Sequence, residues 1–138
     1  MRRLVPVAVL AIVAAALIVA PAGARIDHHF SVFTKQYAQH RTSDGFKFRE
    51  QLFASFNPND QVGNDRVRCR IKQQNHKFKC RAIVHLNGEE AGEGFLFVNG
   101  NVAGPDHRLN VTGGTGDFSG AAGKVITKGH HLHFDLVR

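Results

Sequence analysis

Apolar and polar residues alternate along much of this chain with a period of two, not the helical period of about 3.6. Val67, Cys69 and Ile71 are separated by Arg66, Arg68, Arg70 and Lys72. Phe78, Cys80, Ala82, Val84 and Leu86 alternate in the same way with Lys77, Lys79, Arg81, Ile83 and His85. Such strict alternation predicts half-buried strands, with Gln73 to His76 as the turn between them. A turn centred between Gln74 and Asn75 sets Cys69 opposite Cys80, Ile71 opposite Phe78 and Val67 opposite Ala82. Facing residues of an antiparallel pair have Cα atoms about 4.5–5.5 Å apart, within the disulfide range of about 4.4–6.8 Å. The register therefore predicts a Cys69–Cys80 disulfide that locks the hairpin.

The remaining segments read as strands too. They are His29 to Ala38 (of ambiguous phase), Gly45 to Phe56, Glu93 to Asn99, His107 to Thr112, Ala122 to Thr127 and His131 to Val137. Turn sequences such as Asn57-Pro58-Asn59-Asp60, Asn87-Gly88 and Asn99-Gly100 separate them. No stretch after residue 24 carries a sustained helical apolar stripe. About eight short strands at this spacing predict an all-β sandwich or antiparallel barrel.

The N-terminus has a different character. Arg2 and Arg3 precede an apolar run from Leu4 to Ala20, and Ala22-Gly23-Ala24 forms a small-x-small site. This is the layout of a secretory signal peptide over residues 1–24, cleaved after Ala24. As an uncleaved anchor the run falls short of the roughly 20 apolar residues that span a bilayer. Residues 25–138 are then one domain, secreted or associated with the cell envelope, with no further membrane span. The two cysteines suit an oxidising compartment. The core has no tryptophan and draws instead on the 11 phenylalanines and the aliphatic residues.

One glycine-rich run stands apart. Gly113-Gly114-Thr115-Gly116-Asp117-Phe118-Ser119-Gly120-Ala121-Ala122-Gly123 describes a sharp turn that tucks one ring into a core. A phosphate loop needs Gly-Lys-Ser/Thr opening a helix, but here Val125 follows Gly123-Lys124 and the next segment reads as a strand. Gly113, Gly114, Thr115, Gly116, Phe118, Ala121 and Gly123 match the late turn of the dirigent and allene oxide cyclase barrels, which this chain resembles. Leu109 to Thr112 matches the strand leading into that turn. Gly63 with Cys69, and Gly100 to Pro105, resemble earlier segments of the cyclases.

The resemblance implies a closed eight-stranded antiparallel β-barrel with an apolar cavity, assembled as a trimer or dimer and using no cofactor. Plant members cyclise an epoxide or steer the coupling of phenolic radicals, and similar bacterial barrels cyclise or isomerise natural products. Glu50 departs from the cyclases, which carry an asparagine there when Phe48 and Leu52 are aligned to theirs.

Glu50 is the candidate catalytic residue, because it shares its parity with Phe46, Phe48, Leu52, Ala54 and Phe56. Pointing inward among rings, it would have a raised pKa and could act as general acid or base. A β-bulge would turn it outward, and an arginine partner would make it structural. Phe46, Phe48, Phe78 and Phe134 are the candidate walls for a small apolar ligand.

The register also sets Arg68 opposite Arg81, Arg70 opposite Lys79 and Lys72 opposite Lys77, on a chain of formal net charge +7. Facing like charges are destabilising. Solvent, acidic residues on neighbouring strands or an anionic partner must relieve them. Arg68, Arg70, Lys79 and Arg81 are therefore candidates for contact with anionic envelope or matrix material. That is the alternative to a ligand-binding barrel, and it would be a non-enzymatic role. Nucleic acid is not expected, since no aromatics interleave these cations.

His131, His133 and Asp135 share a face, but a metal site needs a further ligand that the pattern does not supply, so none is expected. Asn110-Val111-Thr112 fits a glycosylation acceptor. Phe95 to Val98 is apolar on both faces, which fits either an oligomer contact or a covering loop.

Overall fold

The computed structural model describes residues 27–72, 77–103 and 107–138. The expected leader at residues 1–24, the turn at 73–76 and the end of the Gly100 to Pro105 link (Gly104 and Pro105) lie outside the described residues. Alternation becomes eight strands: β1 (Asp27–Thr42), β2 (Gly45–Phe53), β3 (Gln61–Lys72), β4 (Lys77–Gly88), β5 (Gly92–Val102), β6 (His107–Gly114), β7 (Ala122–Lys128) and β8 (His131–Val137). Each pairs antiparallel with the next, and β8 returns to β1, closing a barrel. Closure leaves no free edge around the ring and sends every second side chain inside.

The hairpin register agrees with expectation. Cys69 faces Cys80, Val67 faces Ala82 and Ile71 faces Phe78, and the disulfide is formed. Ile71 nevertheless lies past the rim of the barrel and is 52% exposed. No helix among the described residues is long and apolar enough to cross a membrane.

The end of β2 and the phase of β1 depart most from simple alternation. β2 stops at Phe53, because its register against β3 shifts between Leu52 and Phe53, and both residues become buried. Ala54 to Phe56 therefore leaves the strand, and Phe56 is 84% exposed, its ring tilted against that of Phe33 with centroids 4.0 Å apart. The ambiguous phase of the first strand has a similar cause. A shift between Gln36 and Ala38 lets β1 change faces.

Side-chain size grades along the barrel axis. Leu52, Leu86, Leu96, Phe118, Phe134 and Leu136 fill one end. The glycine-rich turn supplies the plug. Residues Gly116–Phe118 form a single 3-10 turn that carries Phe118 inside at 2% exposure. A Cβ on Gly114 would stand 2.6 Å from the carbonyl oxygens of both Phe118 and Phe95, so only glycine lets these backbones approach. Asp117 braces the plug by accepting the Glu93 N–H at 2.8 Å.

Phe118→Ala is expected to cost about 3–5 kcal/mol, read as a lower denaturant midpoint with an unchanged slope. Breaking the disulfide, whose cysteines are 11 residues apart, should cost about 2–3 kcal/mol, measured on Cys69→Ser/Cys80→Ser.

Candidate functional site

Towards the other end of the barrel the inward side chains are small. Val67, Cys69, Cys80, Ala82, Val84 and Val98 do not meet across the interior, and a cavity of about 260 Å³ remains. An eight-stranded barrel is just wide enough to be filled by side chains or to hold one small ligand. Here large residues fill one end and small ones leave room at the other. The disulfide is part of the cavity wall.

Four residues with polar side chains interrupt this apolar lining: Glu50 on β2, Asp65 on β3, His107 on β6 and Thr127 on β7. The two irregularities next to Glu50 lie at Gln36/Ala38 and Leu52/Phe53, on either side of it, so no bulge turns it out. Neither does an arginine neutralise it. Its partner in register is Asp65, and the two carboxyl groups are hydrogen-bonded to one another.

Burial and the neighbouring Glu50 carboxylate push the Asp65 pKa up to about 8. Burial also raises Glu50, opposed by hydrogen bonds from Asp65 and Thr34 and by the charge of His130. Two carboxyl groups this close cannot both ionise cheaply, so the pair as a unit holds a proton beyond the ordinary carboxylate range. Asp65 is 2% exposed, and its Oδ1 has no hydrogen-bond partner among the described residues. His107 Nδ1 is in the same position, although the backbone N–H of His107 donates to Thr127 Oγ1 at 3.2 Å. Two residues that each carry an unpartnered buried side-chain atom thus line one apolar cavity.

The candidate walls divide. Phe46 and Phe48 line the cavity. Phe78 does not; it meets Phe46 edge-on at 5.2 Å on the rim side. Phe134 does not either, being stacked on Phe30 at 4.6 Å in the filled end. Parity put both inside, but position along the axis decided which of the interior residues border open space.

Asp65 and His107 escaped the sequence reading. Asp65 shares the parity of Cys69, so the alternation of β3 extended one residue before Arg66 places it inside. The β2–β3 register that brings Asp65 beside Glu50 was not derivable from either strand alone.

On the outside, Arg68 faces Arg81 and Arg70 faces Lys79. Arg70 has Asp44 at 3.1 Å. The Asp44 carboxyl is held below its ordinary pKa chiefly by the Thr42 hydroxyl, and less by Arg70. The last-strand histidines are engaged across β1 and β8, with His29 3.0 Å from Asp135 and the Ser31 hydroxyl 2.6 Å from His133 Nδ1.

The eight strands thus close an antiparallel barrel of dirigent-like fold, plugged at one end and with a carboxyl pair in the apolar cavity at the other. Comparison with solved structures agrees on the fold. A pyocyanin demethylase superposes with a TM-score of 0.62 at 19% identity, covering 78% of this chain and 98% of its own. A pterocarpan synthase dirigent protein superposes with a TM-score of 0.57 at 15% identity, covering 82% of this chain and 84% of its own. No family model and no curated protein matches the chain.

Asp65 has a folded pKa of about 8 against an ordinary value of 3.8. Between those values the folded state holds a proton that the unfolded state has released, so stability falls as pH rises through that window and levels off above it. Asp65→Asn is expected to flatten this dependence and to melt above the wild type on the alkaline side. Melting temperature followed across the same pH range checks it.

Proposed function

We propose that this protein binds one small, largely apolar molecule inside the barrel and isomerises or cyclises it by proton transfer, without a cofactor. The observation that supports this most is that Asp65 and His107, each with one unpartnered buried side-chain atom (Oδ1 and Nδ1), line an otherwise apolar cavity. Buried polar groups are ordinarily hydrogen-bonded, and a ligand that satisfies both would be oriented by them. Within the carboxyl pair Glu50 serves as the base and takes a proton from the bound molecule. The proton returns from the pair at a second atom, so the net change is a shift of one proton and of the bonds between the two positions. A raised carboxyl pKa suits this role, because an acid and base near the working pH transfer protons most effectively.

Two solved barrels of this shape have enzyme names, a demethylase and a synthase. Neither name gives the substrate of this chain. The apolar lining narrows the substrate to a compact molecule with one or two polar atoms. In this reading the chain is exported through its leader and works outside the cytoplasm, where the disulfide persists.

Native mass spectrometry of the protein purified from its own source reads any retained molecule. Glu50→Gln is expected to slow conversion of that molecule by roughly 10²–10⁴-fold while circular dichroism stays unchanged. Ala82→Phe, which fills the cavity, should exclude both that molecule and the apolar probe N-phenyl-1-naphthylamine. Probe binding that survives Ala82→Phe, or turnover that survives Glu50→Gln, would overturn the proposal.

A further inference from the structure

The register that turns Glu50 and Asp65 inward turns their neighbours outward in rows. Lys47 faces Arg68, which faces Arg81; in the next row Arg49 faces Arg66, which faces Ile83. Facing residues stand about 4.5–5.5 Å apart, and like charges at that spacing repel. The flanking strands set no acid directly beside these cations; the nearest acids are Asp44 in the β1–β2 turn and Glu93 beyond Phe95 on β5. β1 sets His40 beside Lys47 and Ala38 beside Arg49, while β5 sets Asn99 beside Arg81. Among the described residues the only salt bridges are Arg70 to Asp44 and His29 to Asp135, so none reaches Lys47, Arg49, Arg66, Arg68 or Arg81. These cations border a surface groove of about 430 Å³.

The same face continues into apolar surface. Ile83 faces Phe97 on β5, and His85 faces Phe95, the latter two rings stacked at 4.6 Å. Ile83, Phe95 and Phe97 are 47%, 42% and 39% exposed, which is unusual for strand residues of this size. On the far side Phe97 faces Gly113, which has no side chain to cover it. A second groove, of about 450 Å³, shares Arg66 and Ile83 with the first, so the cationic and apolar areas are one continuous face.

We propose that this outer face of β2 to β5 docks on an anionic phospholipid bilayer. The cations meet headgroup phosphates, while Ile83, Phe95 and Phe97 enter the boundary with the acyl chains. Both halves of the face then gain: basic residues are drawn to anionic leaflets, and apolar groups beside them are buried at the interface. A soluble polyanion would satisfy only the charges and leave the three apolar side chains wet. A two-fold contact with a second copy would cover the apolar patch but bring two cationic grids together. Nucleic acid would call for aromatics between the cations, and these lie to one side. The docking face is separate from the cavity, so either assignment can fail without the other.

The test is sedimentation of the purified protein with vesicles of phosphatidylglycerol and phosphatidylcholine, against vesicles of phosphatidylcholine alone. Binding is expected only to the anionic vesicles and should weaken as salt is raised. Arg66→Glu should lower the partition coefficient about tenfold or more, and Phe97→Ser should lower it on the order of tenfold, with circular dichroism confirming that each variant folds. Three results would overturn the proposal. One is no preference for anionic vesicles. Another is binding that ignores Phe95→Ser and Phe97→Ser and is matched by soluble polyphosphate. The third is a stable oligomer in native mass spectrometry that Phe97→Ser dissociates.

Discussion

The register of β3 between its two neighbours is the constraint on which the rest of this molecule depends. In a strand the side-chain period is two, so a slip of one residue exchanges the faces completely. In the observed register Asp65, Val67 and Cys69 are inside and Arg66, Arg68 and Arg70 are outside. A slip would bury three arginines and strand the Glu50–Asp65 pair in water. The Cys69–Cys80 bridge holds this register from one side, and the pairing of Glu50 with Asp65 marks it on the other. One alternation thus sets the chemistry of the cavity and the charge of the surface together.

Side-chain volume then decides what the interior becomes. Closing eight strands produces an inside of nearly constant width, and the residues grade from Leu and Phe at one end to Ala, Val and Cys further along. The large ones meet and exclude space; the small ones do not. The glycine-rich turn belongs to the filled end. Gly114 lets two backbone segments approach closely enough for Phe118 to seal the core. Its sharpness serves packing rather than phosphate binding, since the segment after it is a strand. The cavity therefore lies away from the most conspicuous motif in the chain.

Low dielectric gives the carboxyl pair its character. An exposed Asp and Glu at this spacing would ionise and part. Inside an apolar wall they share a proton instead, because burial penalises both charges and each charge penalises the other. The same physics makes the outer cations tolerable. In water they repel weakly and are screened, and a partner of opposite sign would turn that repulsion into attraction.

Local patterning left inward and outward directions both open for Glu50, but it was enough to read the strands, the hairpin register, the disulfide and the outward direction of the basic residues. Each of these depends on neighbours in sequence or on one tight turn, where a period of two and a turn centre define the geometry. The pairing of Glu50 with Asp65, the exclusion of Phe78 and Phe134 from the cavity and the end of β2 at Phe53 were decided only by the tertiary structure. They depend on registers between strands joined by longer loops, on a one-residue shift and on position along the barrel axis. Alternation along a single strand tells inside from outside, but it carries no information about how far along the barrel a side chain sits or what stands across from it.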